Sequence, residues 1–107
     1  MAKREIVKKV KEYIKLLKSN NIKVDKVYLF GSHASNKAKE TSDIDIAIIS
    51  PDFGKDYMEE MRLLMKIADK VDLTIFPDPY SVEQYEKAKQ GDFLWQEIIQ
   101  KGKLIKA

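Results

Sequence analysis

The chain has 107 residues, 20 of them basic and 17 acidic, for a formal net charge of +3. That length suits one domain, residues 1–107, with one modest core and no room for a second. The absence of cysteine excludes disulfides, thiol nucleophiles and cysteine-ligated metal, and a single histidine, His33, excludes paired-histidine zinc sites.

The longest apolar run, residues 46–49, is far shorter than the ~20 residues that cross a bilayer, so no membrane span is expected. The N-terminus lacks a signal-like apolar stretch, which makes the cytoplasm the expected setting. Charge is uneven: residues 1–26 carry a net +6 and the rest −3. Only two basic residues are arginine, the side chain favoured for bidentate phosphate and base recognition. The basic segment therefore reads as a solvated helix face, with no dedicated nucleic-acid binding expected.

In chain order, Ile6, Val7, Val10, Ile14 and Leu17 recur at helical spacing and predict an amphipathic helix over residues 3–19, broken by Asn20-Asn21. Residues 26–30 (KVYLF) read as a strand stopped by Gly31, and residues 36–42 as a loop. Residues 43–49 (DIDIAII) form the clearest strand, with Ile44, Ile46 and Ile48 on one face and Asp43, Asp45 and Ala47 on the other. Met58, Met61, Leu64, Met65 and Ala68 trace a second helix, with the methionines read as core filling. Residues 71–76 (VDLTIF) predict a third strand closed by Pro77 and Pro79. Ser81 and Gln84 form a capping-box signature opening a helix to about residue 90. After Gly91, Asp92 is placed to cap a last helix carrying Phe93, Trp95, Ile98 and Ile99, with Gly102 at its end. The fold class is α/β, a sheet with helices covering at least one face.

The chemistry lies in Gly31-Ser32, ten residues, then Asp43-Ile44-Asp45. Residues i and i+2 of a strand share a face, so two carboxylates would stand side by side and repel. A hard divalent cation removes that conflict and completes its shell with water and phosphate. A Gly-Ser turn after a strand aims backbone N–H groups at an anion and admits a phosphate closely. The turn ends strand one and the aspartates begin strand two, so they meet only if these strands run antiparallel. A crossover makes strand three parallel to strand two, which puts Asp72 at the same end of the sheet. Three carboxylates facing a phosphate-binding turn describe a two-metal phosphoryl or nucleotidyl transfer site.

GSHASNKAKETSDIDIAI resembles the G-S-x(10)-D-x-D signature of the DNA polymerase β-like nucleotidyltransferase superfamily. The resemblance is nearest to the minimal nucleotidyltransferases, the MNT antitoxins of HEPN/MNT toxin–antitoxin pairs. It implies a mixed sheet flanked by helices, with Asp43 and Asp45 as metal ligands. Asp72 matches the third carboxylate, a ligand and the base for the attacking hydroxyl, and Gly31 and Ser32 match the turn that holds the nucleoside triphosphate. It further implies two Mg²⁺ ions, replaceable by Mn²⁺, with ATP as donor. The implied acceptor is a tyrosine hydroxyl on a cognate HEPN-family toxin, which makes the chain an antitoxin. One departure stands out: Ala34-Ser35-Asn36 replaces the Ala-Arg-Gly frequent in the family, and Lys37 and Lys39 lie close by. Two other readings stay open on sequence: an antitoxin or scaffold acting by binding alone, and an aminoglycoside-type small-molecule nucleotidyltransferase whose second wall comes from a homo-oligomer.

Overall fold

The computed structural model describes residues 4–35, 37–39 and 42–106. Helix α1, Arg4–Ser19, buries Ile6, Val10, Tyr13, Ile14 and Leu17 along one stripe, as its periodicity predicts. The expected start at residue 3 lies outside the described residues. Asn20 Nδ2 donates to the Leu16 carbonyl, and Asn21 turns the chain at φ 63°, a conformation asparagine tolerates better than most residues.

Strands β1 (Lys26–Phe30) and β2 (Ile44–Ser50) pair antiparallel, with Phe30 opposite Asp45 and Tyr28 opposite Ala47. Helix α2, Tyr57–Ala68, is capped by Asp56 and crosses to β3, Ile75–Ser81, which pairs parallel to β2. The sheet order is β3-β2-β1-β4, where β4 is Lys103–Ile105. One face, carrying Val27, Leu29, Ile44, Ile46 and Ile48, packs under α1 and α2 as the main core. Tyr13 ties the two helices together, its buried hydroxyl donating to the Leu64 carbonyl at 2.8 Å. The opposite face, with Tyr28, Phe30 and Ala47, is covered by Leu94 and Ile98.

Four local expectations change. The third strand does not span residues 71–76 and stop at the prolines; it begins at Ile75 and runs through Pro77 and Pro79. Ile44 donates its N–H to the Thr74 carbonyl, so even-numbered positions of this strand face β2 and both prolines face the open edge, where no N–H is needed. In α2 the buried residues are Leu64, Ile67 and Ala68, while Met58 is exposed and not core filling.

The capping box of Ser81 and Gln84 forms, but its helix, α3, is only Val82–Glu86. The last helix is a π-helix, Leu94–Gln100, and Asp92 turns its side chain back to the Lys89 N–H instead of capping it. Strand β4 gave no sequence signal of its own. Gly102 makes it possible, since a Cβ there would overlap the Ile98 carbonyl oxygen and crowd that of Leu29.

Candidate active site

The loop end of the β1–β2 hairpin brings Gly31 onto Asp45. Gly31 follows Phe30, the partner of Asp45, and takes φ +73°; a Cβ on Gly31 would overlap the Asp45 Oδ2 atom. Only a residue without a side chain allows this turn to lie against the carboxylate. Residues Gly31–His33 form a short 3₁₀ turn whose first carbonyl accepts from Ala34 and Ser35. The Ser32 carbonyl accepts from Lys37 at 3.1 Å, which fixes the descending loop.

His33 is buried, and its Nε2 lies 3.3 Å from the Ser42 carbonyl, so it pins the turn to the approach of β2. Asn36, Glu40 and Thr41, within the expected loop of residues 36–42, lie outside the described residues. Lys37 and Lys39 are exposed.

Asp43 stands exposed one residue ahead of β2, and Asp45 is half-buried within it. Burial raises the Asp45 pKa, and the neighbouring charges of Asp43 and Asp78 push it the same way against the opposing pull of His33. This is the electrostatic conflict expected of paired strand carboxylates. Asp78 enters through the sheet register: it pairs with Ala47, placing it on the same face as Asp45 and two positions along. Two tyrosines bind it, Tyr57 donating to Oδ1 at 3.2 Å and Tyr80 to Oδ2 at 2.8 Å. Phe76, paired with Asp45 on that face, is 46% exposed.

Asp72 is not brought into this group. It keeps to the same end of the sheet, beyond Thr74, but residues 71–74 turn instead of extending, with the Asp72 N–H bonded to the Ala68 carbonyl. Its carboxylate is taken by Lys9 of α1 at 2.6 Å and by the Thr74 hydroxyl and N–H. The Lys9 bond, with those from Thr74, holds the Asp72 pKa down to about 2. Asp78 and Phe76 escaped sequence reading because the prolines beside them argued against a strand; the even spacing from Asp72 to Asp78 was the available signal.

Among the described residues no three His, Asp or Glu side chains cluster closely enough to hold a metal by themselves. The donor set nevertheless fits Mg²⁺, which takes one or two carboxylates and leaves the rest of its shell to water and phosphate. Asp43 and Asp45 offer that pair of hard oxygen ligands, and the side-chain-free Gly31 lets the turn lie directly against the Asp45 carboxylate.

The family model described as "Polymerase beta, Nucleotidyltransferase" matches residues 8–107. The chain belongs to the polymerase beta nucleotidyltransferase family. A relative in this family, the protein adenylyltransferase MntA of Shewanella oneidensis, is 31% identical over 92 residues, covering 86% of this chain and 60% of its own length. The chain thus spans less than two thirds of that relative. A protein of Methanocaldococcus jannaschii named "Putative protein adenylyltransferase MJ1215" is 40% identical over 73 residues, covering 65% of this chain and 80% of its own. Among solved structures, the complex of a tri-AMPylated Shewanella oneidensis HEPN toxin with its MNT antitoxin aligns at a TM-score of 0.53 and 26% identity, over 92% of this chain and 70% of the other. The mixed sheet with flanking helices is therefore the nucleotidyltransferase fold that the G-S-x(10)-D-x-D stretch implied.

Proposed function

We propose that this chain transfers AMP from ATP to a hydroxyl of a partner HEPN-type toxin and so acts as an antitoxin. The observation that carries this reading is the packing of the Gly31 turn directly on the Asp45 carboxylate, which supports a turn that holds phosphate beside a pair that holds metal. The protein adenylyltransferase names of the relatives and the AMPylated toxin of the structural neighbour support the donor, the reaction and the partner class.

In this reading Gly31 and Ser32 present N–H groups and a hydroxyl to the triphosphate, and Asp43 and Asp45 hold Mg²⁺, with Mn²⁺ as a substitute. The bound cations would neutralise the triphosphate and ease the departure of pyrophosphate. Asp78, on the same face as Asp45 and bonded by two tyrosine hydroxyls, would take the acceptor's proton. No helix among the described residues is long and apolar enough to cross a membrane, and a cytoplasmic setting, where ATP is abundant, suits the reaction.

The test is labelling of a HEPN-family toxin co-expressed with this chain, with α-labelled ATP as donor. Label should appear with Mg²⁺, come from the α- and not the γ-phosphate, and vanish in Asp43→Asn and Asp45→Asn. Undiminished labelling in both variants overturns the metal assignment.

A further inference from the structure

A tyrosine hydroxyl reaches the face that carries Asp45 and Asp78. Tyr57 is the first residue of α2, held there by the Asp56 cap, and the residue is 54% exposed. From that rim its hydroxyl reaches over the β3 edge to Asp78 Oδ1 at 3.2 Å. Asp78 pairs with Ala47 and so stands on the same face as Asp45, two positions along, which brings the phenol to the face of the proposed nucleotide site. Tyr80 holds the other oxygen of Asp78 but is half-buried and packed with the cluster around Tyr28, Leu94 and Ile98. Tyr80 is thus an anchor for Asp78, while Tyr57 is free to be approached by a bound nucleotide.

We propose that Tyr57 is a self-modification site, accepting AMP from the chain's own bound ATP. The inference rests on the nucleotidyltransferase reading above. Tyr57 Oη forms a bond to the α-phosphorus while the bond from that phosphorus to the oxygen bridging the β-phosphate breaks. Pyrophosphate leaves with the electron pair, and the phenolic proton passes to Asp78. No oxidant or further co-reactant is needed. A modified Tyr57 would fill the acceptor side of the face and exclude a partner's hydroxyl, so the modification would oppose transfer to the toxin.

The experiment uses the full chain with Mg²⁺ and α-labelled ATP, followed by intact mass and peptide mapping. The chain as purified from cells is weighed as well, a readout that requires no assay of activity. The expected result is one added AMP at Tyr57, at a rate per molecule independent of protein concentration. The label should fall to background in Tyr57→Phe, whose fold is monitored by its melting curve, and persist in Tyr85→Phe, where the hydroxyl removed bonds Tyr28 and not Asp78. A separate melt with Mg²⁺ and the non-transferable analogue AMP-PNP reads the nucleotide site alone. If AMP-PNP stabilises the chain but no label appears, or label appears on another residue, the Tyr57 assignment is overturned and the nucleotide site stands. If neither stabilisation nor label is seen, the nucleotidyltransferase reading falls and takes this inference with it.

Discussion

Gly31 is held against Asp45 so closely that no side chain fits between them. The left-handed backbone of Gly31 and the carboxylate of Asp45 are parts of one device: the turn can lie against the acid only while residue 31 is glycine. Gly31→Ala should lose about 1–2 kcal/mol to the left-handed backbone, and more to the overlap with Asp45. It should also abolish the thermal shift given by Mg²⁺ with ATP. Urea melts with and without nucleotide measure both effects, and a full shift in the variant would show that the turn does not contact the triphosphate.

Asp45→Asn should separate stability from activity. Burial and the charges of Asp43 and Asp78 disfavour an ionised Asp45, so a neutral amide relieves repulsion in the metal-free chain. The variant should melt higher than the parent without Mg²⁺, gain nothing from Mg²⁺, and transfer no AMP. A lower melting point would mean that Asp45 has a favourable partner that outweighs this repulsion.

Asp72 should matter to acid stability. Lys9 and Thr74 hold its folded pKa at about 2, whereas an unfolded aspartate titrates near ~3.9. The folded state binds this proton less tightly, so the stabilisation is complete above pH ~4 and fades as pH falls toward 2. Lys9 is partly exposed, so the contribution is of the order of 1 kcal/mol. Asp72→Asn should destabilise by that amount at pH 7 and show a shallower loss between pH 4 and 2 than the parent.

Asp72 and Asp78 should also part company in catalysis. With the register seen here, Asp78→Asn should cut AMP transfer by roughly 10²–10⁴-fold, the usual worth of a positioned base, while leaving AMP-PNP binding intact. Asp72→Asn should leave transfer within a fewfold of the parent. The reverse result would mean that β3 slides on β2 by an even number of residues when nucleotide binds, because only an even shift keeps both acids on the site face.

Much of this was legible in the sequence for a physical reason: strong local signals agreed with the tertiary solution. Alternating isoleucines set the face of β2, the G-S-x(10)-D-x-D spacing set the hairpin that joins Gly31 to Asp45, and Ser81 with Gln84 set a helix start to the residue. The failures came where tertiary context overrode a local rule. Prolines at 77 and 79 signalled an end, yet an edge strand lets them face away from the ladder. β4 is three residues long and exists only because Gly102 packs against Leu29. Asp72 has the chain position of a third site carboxylate, but Lys9, 63 positions earlier in the chain, draws it to α1.

The two prolines of β3 have one more effect. The outer edge of this strand lacks amide hydrogens at positions 77 and 79, so another extended chain laid along it would find acceptors without matching donors. The sheet cannot grow in that direction. A protein that comes to the Asp45–Asp78 face must therefore be recognised through side chains and not by lending it a strand, and copies of this chain are kept from stacking edge to edge beside their own reactive groups.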